Sequence, residues 1–318
     1  MNTPPPTLWI VIPCYNEAEV LPSTAPLFLT KLQSLIESRT VSPESRICFV
    51  DDGSRDETWS FITQLSAESS LIVGLALSRN RGHQNALLCG LMEARSFCDV
   101  SISIDCDGQD DIDAIDDMLA RFSQGNEIVY GVRSARDTDT PFKRKTAESF
   151  YRFMQKMGAE VVFNHADFRL MGKTALDGLS QFGEKNLFLR GIVPLIGFQS
   201  TTVEYERSDR VAGKSHYPFA KMAHLALDGI TSLSVKPIHL ISTTGIIFGC
   251  VGLIGLVWAL ATFASGNSIP GWTSTLSAIF LIGGLQLLSI GVIGEYIGKI
   301  YLESKDRPRY LIKERVGF

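Results

Sequence analysis

Residues Ser101–Asp116 read SISIDCDGQDDIDAID, a short apolar run that stops at two aspartates, Asp105 and Asp107, with more acid at Asp110, Asp111, Asp113 and Asp116. An apolar run of this length, rich in β-branched residues, reads as a buried strand. Carboxylates at the tip of a buried strand are costly to desolvate, so a cation or a helix terminus must offset them.

The same arrangement recurs outward from this stretch. Strand candidates are Leu8–Pro13, Arg46–Asp52, Leu71–Ser78, Val100–Asp105 and Glu127–Val132, with helical patterns around Glu19–Ile36, Thr58–Ser66, Gln84–Ala94 and Asp113–Phe122. Near-continuous apolar strands alternating with helices predict an α/β fold, a mostly parallel Rossmann-like sheet covered on both faces. Such sheets bind ligands beyond the carboxyl ends of their strands. Those ends carry PCYNE, DDGS, SRNRG, DCD and GVRSAR, so the polar clusters fall on one edge.

Composition narrows the function. The 318 residues carry a formal charge of only −4, which excludes the strong basic field of a nucleic-acid binder. Hydrophobic residues reach 45% and gather at the C-terminal end. Six cysteines, none in a C-x-x-C pair, suggest buried, reduced thiols. The opening MNTPPPTLW lacks the pattern of a signal peptide, so the first domain is expected in the cytoplasm.

Between residues 136 and 218 the pattern is less regular, with a basic amphipathic helix in FKRKTAESFYRFMQKMG and a strand in TTVEYER. Residues 217–237 read as an interfacial amphipathic helix. Two charge-free runs follow, about 240–264 and 272–293, and the two helices expected from them, about 240–264 and 272–297, are each long enough to cross a hydrocarbon core of about 30 Å. Their glycines suit close helix packing and permit a homo-oligomer. The loop between them holds no Lys or Arg, whereas Lys299, Lys305, Arg307, Arg309, Lys313 and Arg315 follow. The positive-inside rule then puts both termini in the cytoplasm. The expected organisation is a cytoplasmic catalytic domain over 1–216, the interfacial helix over 217–237, and a two-helix membrane domain with a short tail over 238–318.

An Asp-x-Asp at a strand end can hold Mg²⁺ or Mn²⁺ through oxygen ligands and leave positions for a diphosphate. Asp105, Asp107 and the amide of Gln109 are the candidates. Asp111, Asp113, Asp116 and Asp117 read instead as acids favouring a helix N-terminus. VIPCYNE and VDDGSRDET are placed to grip a base and ribose, although DDGS alone is equally a turn with a helix cap.

In order along the chain, VIPCYNE, VDDGSRDET, SRNRGHQNALLCGL, IDCDGQDD, YGVRSARDTDTPFKRKTAESFY, ADFRLM, YERSDRVAGKSHYP, LDGITSLSVKPI and GEYIGKIYLESKDRPRYLI resemble the polyprenyl-phosphate glycosyltransferases of the GT-A, family-2 type. That group includes bactoprenol glucosyl- and N-acetylglucosaminyltransferases and dolichyl-phosphate mannose synthases. The resemblance covers nearly the whole chain and is specific to the two-helix bactoprenol branch.

It implies that Pro13, Tyr15 and Glu17, with Asp51 or Asp52, hold the nucleotide, and that Asp105, Asp107 and Gln109 hold the metal and diphosphate. It further implies that Arg133, Arg144, Arg207, Arg210 and Lys214 bind the lipid phosphate, and that Asp167 lies near the acceptor. Family members often read Asp-Ala-Asp-Leu-Gln-Asp-Pro-Pro-Glu, so Cys106, Gly108, Asp111, Ile112 and Asp113 here change the loop and leave the ligand positions intact. A phosphate with a second pKa of about 6 is largely deprotonated near neutrality, so Asp167 is expected to position groups rather than take a proton.

The expected reaction is metal-dependent, inverting transfer of one glucose or N-acetylglucosamine from a UDP-sugar to undecaprenyl phosphate at the inner membrane. A flippase and a further glycosyltransferase are the expected downstream partners. Transfer to a glycolipid or polysaccharide, and a non-catalytic membrane scaffold, are the alternatives.

Overall fold

The computed structural model describes residues 4–134, 165–185, 187–206, 236–264 and 271–318. Arg144, Arg207, Arg210, Lys214, nearly all of the expected interfacial helix and the 265–270 loop lie outside them.

Among the described residues, two compact units are present. The first alternates strands and helices: β1 (Leu8–Cys14), α1 (Leu21–Glu37), β2 (Arg46–Asp51), α2 (Thr58–Glu68), β3 (Ile72–Leu77), α3 (His83–Ala94), β4 (Val100–Ser103), α4 (Ala114–Ser123) and β5 (Ile128–Arg133). β6 (His165–Gly172), α5 (Lys173–Leu179), α6 (Leu189–Leu195) and β7 (Ser200–Tyr205) follow, and β8 (Ile312–Val316) completes it from the C-terminus. The second unit holds two long helices, α7 (Lys236–Ala264) and α8 (Trp272–Ser304).

The eight strands form one sheet in the order β7-β5-β6-β4-β1-β2-β3-β8. All seven residues of β1 are buried, as a central strand covered on both faces requires. On α1 the spacing of Leu21, Ala25, Phe28, Leu32 and Leu35 puts one apolar stripe against the sheet. The sheet is mostly parallel, as expected, with β1 to β5 and β7 pointing one way and two strands reversed. β6 runs antiparallel between β4 and β5, and β8 runs antiparallel along β3.

The register of β6 positions the site. Ser103 pairs with Arg169. Continuing that antiparallel register by two residues sets Asp105 opposite Asp167. The carboxyl ends of β1 to β5 and β7 and the amino end of β6 therefore share one edge.

The C-terminal tail, Arg307–Phe318, groups with the first unit. β8 covers the free edge of β3, with Val316 opposite Gly74 and Glu314 opposite Ala76. Gly74 is required by this contact: a Cβ there would lie 2.6 Å from Ile62 Cγ2 and 2.8 Å from Val316 Cγ2. Arg315 forks onto Glu93 at 3.1 and 3.2 Å, and Trp59 Nε1 donates to Glu314 at 3.2 Å. Phe318 packs at 5.9 Å on Trp9, whose other contact is a stacked Phe97 at 5.3 Å. Pairing and covering an edge strand removes a template for aggregation.

All six cysteines are free; five are buried, and Cys250 on α7 is exposed. In the second unit, Leu281–Ser304 is long and apolar enough to cross a membrane, with a mean hydropathy of 1.5. Leu281, Leu287, Ile290 and Ile297 on it stand outward, Leu287 at 73% and Ile290 at 64% exposure.

Candidate active site

Two loops at the sheet edge clasp each other. The Asn16 backbone N–H donates to Ser54 Oγ at 2.9 Å, and Asn16 Oδ1 accepts from the Arg55 backbone at 2.9 Å. Glu17 N donates to Thr58 Oγ1 at 2.9 Å. These bonds leave Tyr15 exposed at the edge, while Pro13 stays inside β1. The expected nucleotide grip therefore has a rigid frame. Asp51 and Asp52 are part of that frame, because both are buried and turned onto loop backbone. Asp51 accepts from Ser54 N at 3.2 Å, and Asp52 accepts from Arg81 N and Gly82 N at 2.7 and 2.8 Å. Gly53, directly after Asp52 and at φ +67°, lets the Arg79–Asn80 backbone approach to 2.5 Å from where a Cβ would sit. Asp52 thus holds the loop that delivers His83.

His83 Nε2 lies 3.6 Å from Asp105 Oδ1 and 3.4 Å from Asp167 Oδ2. Arg190, from α6, forks onto Asp167 through Nε (3.1 Å) and Nη2 (3.0 Å). Ser103 Oγ donates to the Asp167 carbonyl at 2.5 Å and fixes the start of β6. Beneath lies Arg169, wholly buried, with Nη2 3.9 Å from Asp167 Oδ1 and its guanidinium 5.6 Å from the Tyr130 ring.

The two aspartates are driven apart. Burial pushes Asp105 up to about 6, helped by the charges of Asp167, Asp110 and Asp107 and opposed by His83. Burial would also raise Asp167, but His83 and Arg190 overcome it and hold that carboxyl well below the usual range. For His83, burial alone favours the neutral ring, yet Asp167 and Asp105 keep it raised.

Asp107 Oδ1 accepts the Gln109 backbone N–H at 3.1 Å, which curls the loop back after Asp105. Asp110 is buried and tied to other strands: Tyr205 donates to it at 2.6 Å and Arg133 Nη2 at 3.3 Å, while Arg133 Nε reaches Tyr205 at 3.2 Å. Arg133 is thus held at the edge by the same loop that carries Asp105. Asp113 and Asp116 bind Lys31, at 2.7 Å for Asp113, and Asp111 accepts the Asp113 N–H at 3.0 Å, in keeping with their reading as helix-start acids.

The donor set fits a hard divalent cation in part. Asp105 and Asp107 would offer carboxylate oxygens, and the raised Asp105, pushed up by burial and by its acidic neighbours, marks a carboxyl that a cation would relieve. No cluster of three or more His, Cys, Asp or Glu forms a ready-made metal cage among the described residues. Any cation held here takes its remaining ligands from water or a diphosphate.

Of the residues expected from sequence, Asp105, Asp107, Gln109, Arg133 and Asp167 lie at this edge, and His83 sits between Asp105 and Asp167. Sequence reasoning did not single out His83, Asp110, Arg169, Arg190 or Tyr205. An arginine between Phe168 and Leu170 was the available signal for Arg169.

An Asp-x-Asp at the carboxyl edge of an α/β sheet, facing an acid–arginine cluster, is a candidate site for an enzyme, and comparisons with known proteins give its family. Glycosyl transferase family 2 matches residues 9–179, and the GtrB C-terminal hairpin matches residues 236–300. The chain belongs to glycosyl transferase family 2 and is a glycosyltransferase. It is 47% identical to the uncharacterized glycosyltransferase YkoT of Bacillus subtilis (strain 168), over 98% of this chain and 93% of that one. It is 39% identical to the bactoprenol glucosyl transferase of Shigella phage SfX, over 96% of this chain and 98% of that protein. The prophage bactoprenol glucosyl transferase homolog of Escherichia coli (strain K12) is 38% identical, over 96% and 97%.

Proposed function

We propose that this glycosyltransferase, of GT-A type, transfers a single glucose from UDP-glucose to undecaprenyl phosphate at the cytoplasmic face of the inner membrane. The observation that carries the reading is the placement of Asp105 and Asp107 at the sheet edge, opposite Asp167 and beside His83. Near-full-length similarity to proteins named bactoprenol glucosyl transferase supports both the sugar and the lipid acceptor. The outward-facing apolar side chains of α7 and α8 support two membrane-spanning helices, with residues 1–216 as the catalytic domain.

The acceptor phosphate oxygen attacks the anomeric carbon; the new C–O bond forms as the bond to the UDP oxygen breaks, and UDP carries the electron pair away. Attack opposite the leaving group inverts the anomeric centre. The attacking oxygen is already ionised near neutral pH, so no strong base is needed. Asp105, Asp107 and Gln109 would hold a Mg²⁺ or Mn²⁺, which when bound neutralises charge growing on the leaving diphosphate. The clasped loops bearing Pro13, Tyr15 and Glu17 orient the nucleotide, with Asp51 and Asp52 beneath. Arg133, fixed by Asp110 and Tyr205, would take the acceptor phosphate, and the family resemblance assigns Arg144, Arg207, Arg210 and Lys214 to the same anion.

Detergent-solubilised protein with a panel of nucleotide sugars tests the reading through UDP release. Release should require undecaprenyl phosphate, prefer UDP-glucose, and fall by about a hundredfold or more in Asp105→Asn or in EDTA. Full activity in EDTA removes the cation from the mechanism.

A further inference from the structure

Asp167 has both carboxylate oxygens engaged by the protein. Oδ1 accepts from Arg190 Nε; Oδ2 accepts from Arg190 Nη2 and faces His83 Nε2. The side chain is only 8% exposed. A proton acceptor needs an oxygen within reach of the substrate, and here each oxygen already faces a cation. What reaches outward are the two side chains that Asp167 holds: that of His83 is 43% exposed and that of Arg190 35%.

Two further ties make this pair a built feature. Gln84 Oε1 accepts the Leu189 backbone N–H at 3.0 Å, so the first residues of α3 clamp both Asp167 and the start of α6. Arg169 lies beneath, 1% exposed, with none of its three side-chain nitrogens hydrogen-bonded. Arg169, Arg190 and His83 gather around one Asp167, and Arg190 and His83, the two that reach the surface, carry N–H donors of the kind that grip a diphosphate. The same His83 nitrogen lies 3.6 Å from Asp105, which places this cluster beside the candidate cation ligands.

We infer that Asp167 is an anchor and that Arg190, oriented by it and flanked by His83, grips the diphosphate of the nucleotide-sugar donor beside Asp105. The inference rests on the transfer proposed above and deepens it by naming a donor-phosphate residue. Arg190 suits the task because a guanidinium keeps its charge while forked on a carboxylate and presents five N–H donors in a fixed plane.

Titration calorimetry of the full-length protein with UDP and with uridine isolates the phosphate contribution. Wild type should prefer UDP strongly. Arg190→Gln should weaken UDP about tenfold or more and leave uridine unchanged, and Arg190→Lys should restore part of the loss. Asp167→Asn should share the UDP defect, and combining it with Arg190→Gln should add little, as expected of residues acting as one unit. At saturating donor, Asp167→Asn should keep kcat within about tenfold, whereas loss of a general base costs about 10²–10⁴. Should the glutamine variant fold poorly, Arg190→Lys decides alone: intermediate UDP affinity supports the inference and wild-type affinity overturns it. A defect confined to the undecaprenyl phosphate KM would move Arg190 to the acceptor and overturn the donor assignment. A wild type that binds UDP no better than uridine would overturn the proposed function itself, an outcome visible before any variant is made.

Discussion

Asp105 and Asp167 face each other across adjacent strands; burial raises Asp105, whereas His83 and Arg190 hold Asp167 low. Asp105 was legible in the sequence because an acid directly after a buried apolar run is an anomaly that demands a partner. His83 and Arg190 were not, since a lone histidine in RNRGHQ and an arginine in LFLRGIV carry no spacing signal. They meet Asp167 only because β6 runs back against β4. The raised Asp105 has a consequence for the metal-free protein. A carboxyl moved from 3.8 to about 6 holds its proton more tightly in the folded chain than in the unfolded one. It therefore stabilises the fold below about pH 4, and that contribution is lost as the pH rises through about 6. Asp105→Asn removes the dependence. At pH 7.5 the variant should melt about 2–4 °C above wild type, and the gap should close toward pH 4. A thermal-melt series across this range checks it, and a gap that does not vary with pH would contradict the assigned burial of Asp105.

At the scale of elements, β1 to β5 and their helices were legible because continuous apolar runs and amphipathic stretches announce them. β6 and β8 were not read as strands. β6 buries Asp167 and Arg169 within HADFRLMG, so polar residues interrupt its pattern, and their burial is tolerable only once Ser103, His83 and Arg190 are in place. β8 reads IKERV, a charged edge strand whose polarity is that of a solvated tail. Its pairing with β3 decides its role, and a long apolar segment separates the two in sequence. Removing residues 311–318 from the full-length protein should uncover β3 and lower the melting temperature of the catalytic unit, with aggregation on heating. Phe318→Ala, which removes the ring from Trp9 and Phe97, should cost about 0.5–1.5 kcal/mol for each aromatic pair lost. Tryptophan fluorescence during denaturant unfolding reads both, and wild-type stability in the truncated chain would show that β8 is dispensable.

At the scale of the whole molecule, the chain leaves its catalytic unit for two long apolar helices and returns to complete the same sheet. The proposed orientation puts residues 265–271 outside and both termini in the cytoplasm. With Cys250 changed to Ser, a cysteine at Asn267 should react with an impermeant thiol reagent in intact cells, and one at the exposed Lys313 should react only after lysis. The reverse pattern would remove the catalytic unit from the cytoplasmic supply of nucleotide sugars. The central claim, transfer of one sugar onto a lipid phosphate, is tested most directly by reconstituting the purified protein in liposomes with undecaprenyl phosphate, Mg²⁺ or Mn²⁺ and UDP-glucose, then determining the mass and anomeric configuration of the lipid product. The account predicts undecaprenyl phosphate carrying a single β-linked glucose. An unmodified lipid, with glucose delivered instead to a glycan or glycolipid acceptor, would contradict it.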